Sequence, residues 1–413
     1  DLKWWIRLAE LLERGCLDAL FFADVHGTYD TYGGNRDAAV RHAVQFPGID
    51  PTVLISALAA ATEHLGFGVT YSTTYFPPFQ AAKLFSTLDH LTNGRIAWNV
   101  VNSYLPDAQR QGLGLQLEHD ERYDRADEYL DVCYKLWEQS WDDGAIVLDA
   151  ANDVHTDPSK VHEIDHNGRW FDVQGPHMVE PSPQRTPVIF QAGSSARGMQ
   201  FASRHGEAVF VAAPQGPAGA ELVTQLRETA AEAGRDPASM KIIHATRLIV
   251  AETDEQAHAM KAEWDRNFSV EGFLALFGGW TGIDLGGHSA DTPIASIPAT
   301  AMRTWVERWQ REDPDHEWTV GDLARRLAEG GAGTAFVGSA TTVADQLEEF
   351  ADTTGLDGFN LITSPVPWGL EQVVDHLVPE LQRRGRLRTA YTPDETLRER
   401  WFGPGARHPC SQN

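Results

Sequence analysis

The segment 65–104 constrains the fold of this chain more than any other part of the sequence, because it reads as a strand, a helix and a second strand. Its first apolar run is Gly66–Thr70. Pro77 and Pro78 predict the start of a helix, since a proline in the first helical turn loses no hydrogen bond. The second run, Ile96–Val101, is apolar on both faces, as a parallel strand covered by helices is. The segment therefore predicts a β-α-β unit of a parallel sheet.

Strands and helices continue to alternate along the chain. Further apolar runs predict strands at 17–23, 187–192, 208–212, 241–250 and 357–362, and helices at about 51–64, 118–137, 218–233 and 369–384. This alternation favours a closed (β/α)8 TIM barrel, for which about 250 residues suffice. We expect one domain over 1–413, with insertions at about 138–186 and 252–330 and a tail from about 387. The chain begins inside a helix, so we expect the first barrel strand to be absent from this sequence.

Charge and cysteine content narrow the class of protein. The formal charge is −25, from 59 acidic and 34 basic side chains, whereas nucleic-acid binding needs clustered Lys and Arg. No apolar run approaches the ~20 residues that cross a bilayer, and we find no signal peptide. Cys16, Cys133 and Cys410 form neither a disulfide framework nor zinc-ligand pairs. We therefore expect a cytoplasmic protein that binds neither nucleic acid nor membrane.

Polar side chains gather where predicted strands end. Asp24, Thr70, Asn99 and Ser103 all lie at or near such ends. The carboxyl ends of parallel strands are where α/β folds bind ligands. A cap or a turn would explain each residue alone, whereas the four together favour a pocket.

A second candidate site is Gly193-Ser194-Ser195, which follows a predicted strand and precedes a predicted helix. Small residues allow close backbone approach, and a helix N-terminus attracts anions, so the motif favours phosphate. An ordinary tight turn is the alternative. His119 and Tyr123 are four residues apart and share a helix face, which could direct both at one ligand. Packing alone explains that spacing as well.

The segment His162–His166 matches the H-E-x-x-H motif of zinc proteases letter for letter. That motif needs a continuous helix to place both histidines on one metal. Asn167-Gly168 follows at once and predicts a turn instead. We expect a strand or loop there and no metal site, with a zinc hydrolase as the alternative.

Several long segments, in order along the chain, resemble one family. They are FFADVHGTYDTYGG, TYSTTYFPPFQAAKLFSTLDHLTNGRIAWNVVNS, LEHDERYDRADEYL, VHEIDHNGRWFDVQGPH and SPQRTPVIFQAGSSARG. They are similar to the bacterial-luciferase-like, flavin-dependent monooxygenases. The branch is that of the nitrilotriacetate, dibenzothiophene-sulfone and long-chain-alkane monooxygenases, with the alkane enzymes nearest. The resemblance covers nearly the whole chain.

The resemblance implies a TIM barrel that takes reduced FMN as a co-substrate from a separate flavin reductase. Through a flavin C4a-hydroperoxide, O2 would then supply one oxygen atom to a small, apolar or aromatic organic substrate. The residues implied to contact the flavin are Asp24, Thr70, Ser103, His119, Tyr123, Ala192, Gly193, Ser194 and Ser195. The resemblance also implies a homodimer or homotetramer. An oxidoreductase using the deazaflavin F420 on the same fold is the alternative.

Two positions depart from the alkane-oxidising relatives. Tyr104 and Leu276 stand where the resemblance leads us to expect histidines. Tyr29 is the remaining polar candidate in the substrate pocket, so Tyr29 and Tyr104 are the predicted catalytic residues. With a pKa near 10, a tyrosine donates hydrogen bonds at neutral pH and is a poor base. The insertion at 252–330 is the expected lid.

Overall fold

The computed structural model describes residues 1–103, 105–113, 117–193, 195–297, 313, 315–328, 335–363 and 365–409. The strands are β1 (Ala19–Phe22), β2 (Gly66–Ser72), β3 (Ile96–Val101), β4 (Ile146–Asp149), β5 (Val154–Thr156), β6 (His166–Asn167), β7 (Asp172–Val173), β8 (Val188–Gln191), β9 (Ala208–Val211), β10 (Lys241–Ala251), β11 (Ala335–Ser339) and β12 (Gly358–Thr363). Eight of them form the central sheet in the order β1-β2-β3-β8-β9-β10-β11, with β12 also on β10. All its pairings are parallel, as in an α/β barrel.

Helices cover the outer face of this sheet and both ends of the barrel. They are α1 (Leu2–Arg14), α2 (Asp37–Arg41), α3 (Pro51–Ala61), α4 (Pro78–Leu91), α5 (Pro106–Arg110), α6 (His119–Tyr134), α7 (Ala196–His205), α8 (Pro217–Glu232), α9 (Asp254–Asn267), α10 (Val270–Thr281), α11 (Val320–Ala328), α12 (Ala340–Thr354), α13 (Trp368–Gln372), α14 (Val378–Arg383) and α15 (Leu397–Phe402). Among these, none is long and apolar enough to cross a membrane.

The β-α-β unit predicted at 65–104 is β2-α4-β3, and the structure confirms it. Trp98 of β3 points outward and stacks on Phe85 of α4, with ring centroids 4.9 Å apart. Because side chains alternate along a strand, Ala97 and Asn99 face the barrel interior. Parallel pairing places Thr70 of β2 opposite Asn99. Two of the predicted site residues therefore lie side by side.

The sequence predicts seven strands for the central sheet and misses an eighth, β11, so the predicted number of strands is wrong. β11 pairs with residues 247–251 of β10, whereas β12 pairs with residues 243–248 of the same strand. β10 has 11 residues and is therefore long enough to hold two neighbours along its length. β11 itself has only 5 residues and contains Gly338, so it lacks a pronounced strand pattern.

Among the described residues, β1 and β12 do not pair, so the central sheet has a gap between them. Within the described ranges β1 pairs only with β2, and β12 only with β10. Two cavities of about 470 and 380 Å³ lie at the gap and share walls such as Phe21 and Gly358. The larger cavity also contacts Leu347 and Leu377 of the outer helical layer, whereas the smaller cavity contacts Phe210 inside the barrel.

The opposite end of the barrel from the predicted site is closed by α15. Trp401 of this helix stacks on Phe190, with centroids 5.5 Å apart. Arg398 and Glu207, each 1% exposed, form a doubly hydrogen-bonded ion pair with N···O distances of 2.6 and 2.9 Å. Burial alone would raise the pKa of Glu207, but the charge and hydrogen bonds of Arg398, together with His408 and the Ile189 backbone N–H, outweigh burial and lower it. The segment beyond 387 thus stabilises the end of the barrel opposite the predicted site, here named the lower rim.

We expect His177 to make the stability of the protein depend on pH. Its side chain is 3% exposed, and its Nε2 lies 2.9 Å from Ser86 Oγ. Burial lowers the pKa of His177 to about 4, against an ordinary value of 6.5. The folded protein therefore takes up this proton less readily than the unfolded chain, so stability is full above pH ~6.5 and is lost as the pH falls towards 4. Between pH 7 and 4.5 we expect this residue to cost about 2–3 kcal/mol of unfolding free energy.

Urea unfolding of His177→Gln at both pH values checks this expectation, because Gln can still bond Ser86 but does not titrate. The variant should lose less stability than the wild type over that range. The exposed His155→Gln serves as the matched control and should follow the wild type. An equal loss in all three proteins would contradict the assignment.

Candidate active site

A chain of hydrogen bonds crosses the barrel interior at the level of the predicted polar cluster. Thr70 Oγ1 donates to the carbonyl oxygen of Phe22 at 2.8 Å, and Asn99 Nδ2 donates to Thr70 Oγ1 at 2.9 Å. The chain links three neighbouring strands and fixes the orientation of the Asn99 amide. Asn99 Oδ1 is buried without a hydrogen-bond partner. An acceptor is thus left free at this level of the barrel.

Ser103 and Asp24 lie at the mouth of the barrel, beyond the strand ends. Ser103 Oγ donates to Ser72 Oγ at 2.8 Å. Asp24 Oδ2 lies 3.8 Å from His26 Nδ1. Burial raises the pKa of Asp24, although the neighbouring His26 acts in the opposite direction. Ser72 and His26 were not predicted, and the His26 ring lies 5.6 Å from Tyr75, which also belongs to this mouth.

The turn between β8 and α7 forms a tight cradle. Ser195 caps α7, accepting from Gly198 N at 3.0 Å, and Gly193 N donates to Gln191 Oε1 at 2.5 Å. A Cβ on Gly193 would lie 2.8 Å from Gly198 Cα, and a Cβ on Gly198 would lie 2.8 Å from Tyr123 Oη. Neither position has room for a Cβ, so glycines are needed for the turn, α7 and Tyr123 to pack this closely. Ala192 is exposed at the end of β8, and Ser194 falls outside the described residues.

Helix α6 brings the other predicted residues to this cradle. Burial raises the pKa of Tyr123, while a hydrogen bond with Ser195 and the charge of Arg122 act against it. The His119 ring lies 5.3 Å from Tyr123, but its Nδ1 bonds Asp120 Oδ1 at 2.6 Å and half of the side chain is exposed. Arg122 was not predicted, and its Nε is buried without a hydrogen-bond partner. The cradle thus combines a helix N-terminus with a nearby cation.

A cluster of apolar side chains, here named the lid cluster, lies above the mouth. Tyr29, predicted as catalytic, is 3% exposed and donates from Oη to Gln45 Oε1 at 2.8 Å. Tyr104 lies outside the described residues. The side chains of the lid cluster come from the loops after β1, β2 and β3, from α2 and α5, and from α10. They are Val25, Tyr29, Ala39, Val44, Tyr75, Leu105, Ala108, Leu113 and Leu276.

Helix α10, inside the predicted lid insertion, rests on the Tyr29 ring through Gly279. A Cβ at this position would overlap the ring. Gly→Ala in an exposed helix stabilises by about 1 kcal/mol, but we expect Gly279→Ala to destabilise by about 1–3 kcal/mol, as overpacking does. Urea unfolding measures the difference. Gly287→Ala, where a Cβ meets open space, is the control and should be near neutral. A stabilised Gly279→Ala would show that the lid is not seated on Tyr29.

The H-E-x-x-H segment does not form the helix that a zinc site needs. His166 lies in β6 of the β6–β7 hairpin, which confirms the predicted strand or loop. His162 instead contacts Asp142 Oδ2 at 2.9 Å, whereas His166 lies near Lys135 and Glu128. Among the residues that the structure describes, no group of three or more His, Cys, Asp or Glu could hold a metal ion.

Comparisons with known proteins agree on one family. The model of the luciferase-like monooxygenases matches residues 1–357. Dimethyl-sulfide monooxygenase of Hyphomicrobium sulfonivorans is 45% identical over 418 residues, covering 100% of this chain and 87% of the relative. A crystal structure of long-chain alkane monooxygenase is 46% identical with a TM-score of 0.90, covering 100% of this chain and 91% of that one. A riboflavin lyase solved with modified FMN is 35% identical with a TM-score of 0.89, covering 98% and 90%.

Proposed function

This chain belongs to the luciferase-like monooxygenase family, and we propose that it is the oxygenase of a two-component system. It takes reduced FMN and O2 and inserts one oxygen atom into a small, apolar or aromatic organic molecule. A separate flavin reductase supplies the reduced FMN, since no dinucleotide-binding G-x-G-x-x-G follows a strand in this sequence. We propose a homodimer or homotetramer as the working assembly.

The cradle between β8 and α7 is the observation that carries this proposal. An anion needs donors, a positive field and room for close approach. Ser195 and the start of α7 supply donors and field, and Gly193 and Gly198 let the turn pack closely on α7 and Tyr123. Arg122 adds a cation whose Nε lacks a partner. These residues fit the phosphate of FMN, with Tyr123, His119, Ala192 and Ser194 completing the site.

The barrel mouth fits the remainder of the cofactor. Thr70, Ser103 and Asp24 present hydroxyl and carboxyl groups towards the space in front of the strand ends, and we assign them to the flavin ring and ribityl chain. Bound reduced FMN supplies the electrons that allow O2 to oxygenate the substrate. The protein contributes binding, orientation and exclusion of water.

We propose that the substrate binds at the barrel mouth, beside the lid cluster, whose apolar side chains exclude water. Tyr29 Oη donates its hydrogen to Gln45 and can accept one directed hydrogen bond from a substrate. Tyr29 therefore orients a substrate rather than acting as a base. Tyr104 is proposed for the same role from the sequence.

Anaerobic titration with reduced FMN, followed by mixing with 18O2 and organic substrates, tests the proposal. We expect micromolar or tighter binding of reduced FMN and one 18O atom in the product. A parallel titration with reduced F420 should show much weaker binding. Tight binding of F420 without oxygen incorporation would replace the proposal with the deazaflavin alternative.

A further inference from the structure

We propose that the gap between β1 and β12 is an acceptor groove for one further parallel strand, an extended apolar segment of about five residues joined to the N-terminal end of α1. This inference concerns the barrel itself, so it goes beyond the proposed function. Three features carry it: the strand edges that face the gap, the cavities between them, and the position of α1.

The strands that border the gap are less covered than the interior strands. Within the described residues, β1 pairs only with β2, and β12 only with β10. All four residues of β8 are buried, whereas five of the six residues of β12 are partly or fully exposed, and Ile362 is 46% exposed. A Cβ on Gly358, at the start of β12, would meet nothing within 4 Å. The two facing edges therefore offer backbone N–H and C=O groups that a further strand could pair.

The two cavities at the gap extend through the thickness of the sheet. The larger cavity, of about 470 Å³, reaches the outer helical layer at Leu12 of α1 and Leu347 of α12. The smaller cavity, of about 380 Å³, reaches the barrel interior at Phe210 and Trp401. Because side chains alternate along a strand, one segment in the gap would present successive residues to the two cavities in turn. Both cavities have apolar walls, so the space fits a strand that is apolar on both faces, as buried parallel strands are.

A polypeptide segment fits the gap better than an ion or a small molecule does. The carboxylates that line the gap are paired with arginines, so they are not arranged to bind a cation. The pairs are Asp18 with Arg388, Asp357 with Arg227, and both Glu348 and Asp352 with Arg386, at N···O distances of 2.7–3.0 Å. A small apolar molecule would fill the cavities but could not pair the backbone groups of the strand edges, whereas a parallel strand would pair both edges.

The position of α1 indicates how this strand is connected. α1 packs on α3 and on residues 373–377, which follow β12, so it covers the outer side of the gap. It leads into β1 as α3 leads into β2. A connection between parallel neighbouring strands is almost always right-handed, which places the strand before α1 on the side of β1 away from β2. That side is the gap.

A strand in the gap would also complete the wall of the barrel mouth. The carboxyl ends of parallel strands meet there, so the residues that follow the strand would lie beside the end of β1, next to Asp24. The groove is thus linked to the candidate active site through its upper end.

Hydrogen exchange of the chain with an added N-terminal extension tests the proposal. The extension is Lys-Ile-Val-Ile-Val followed by an eight-residue Gly/Ser linker, and exchange is followed by mass spectrometry without flavin. Peptides that cover β1 and β12 should exchange at least about tenfold more slowly than in the unextended chain. Peptides that cover β3, which already has a neighbour on each side, should not change. The control extension Lys-Ile-Pro-Ile-Pro lacks alternate N–H groups and should leave all rates unchanged.

Unchanged exchange of β1 and β12 in the extended chain would overturn the inference, and so would equal protection by the proline-containing extension. Gly358→Phe places a ring in the gap and should cancel the protection; protection that survives this change would show that the extension binds elsewhere. If the first extension causes aggregation in size-exclusion chromatography, Lys-Thr-Ile-Ala-Val replaces it under the same criteria. Failure of reduced FMN to bind would instead overturn the proposed function and would leave the exchange result standing.

Discussion

Replacing Arg398 by Met should lower the free energy of unfolding by about 3–5 kcal/mol, because it leaves the Glu207 carboxylate buried without its counter-charge. Both side chains are 1% exposed, so water cannot replace the lost partner. Arg398 also donates to the carbonyl oxygens of Gln184, Thr186 and Pro187 at 3.2, 2.9 and 3.0 Å. These acceptors lie just before β8, and Glu207 lies just before β9. The change therefore loosens the lower rim at two adjacent strands.

Urea unfolding at pH 7 measures this effect. Arg383→Met is the matched control, because Arg383 pairs with Glu380 at 2.7 Å while 69% of its side chain is exposed. An exposed pair of this kind contributes about 0–1 kcal/mol. The double variant Arg398→Met/Glu207→Gln should recover part of the loss, since no buried charge is then left unpaired. A loss below about 1 kcal/mol in Arg398→Met would contradict the role assigned to the pair.

The Arg398–Glu207 pair also shows what the sequence cannot predict. The two residues are 191 positions apart, and neither stands in a recognisable pattern. Apolar periodicity places β2, α4 and β3 because the signal is local to each element. A contact between α15 and the barrel rim depends on the folded tertiary structure and has no local signal in the sequence.

The residues of the candidate site likewise fall into those that the sequence predicts and those that only the structure shows. Thr70 and Asn99 were predicted because both lie near the ends of recognisable strands, and the register of β2 and β3 brings them into contact. Arg122 was not predicted because, unlike the spaced pair His119 and Tyr123, it belongs to no pattern in the sequence. Only the structure shows the Arg122 Nε buried without a partner. His26 was missed since a lone histidine beyond a strand carries no pattern.

Replacing Arg122 by Met should weaken the binding of FMN by roughly ten- to a hundredfold, the loss expected for one charge-assisted hydrogen bond of about 1.5–3 kcal/mol. Both Arg122 and Arg197 act electrostatically on Tyr123, whose hydroxyl lies against Gly198. Arg197 is paired with Asp124 and Asp127, whereas the Arg122 Nε lacks a partner, so we predict that Arg122 meets a phosphate held there. Riboflavin has the same ring and ribityl chain but no phosphate. Its affinity should therefore change by less than about twofold, well under the loss of a hydrogen bond.

Anaerobic titration of both reduced flavins into wild type and variant separates a phosphate contact from a general loss of structure. Arg204→Met is the control, because Arg204 lies on α7, pairs with Asp131 at 3.3 Å and is 52% exposed. It should bind both flavins as the wild type does. If Arg122→Met weakens riboflavin as much as FMN, Arg122 supports the fold of the site rather than the phosphate. If it weakens neither, the turn between β8 and α7 does not hold the phosphate, and the proposed function loses the observation that carries it.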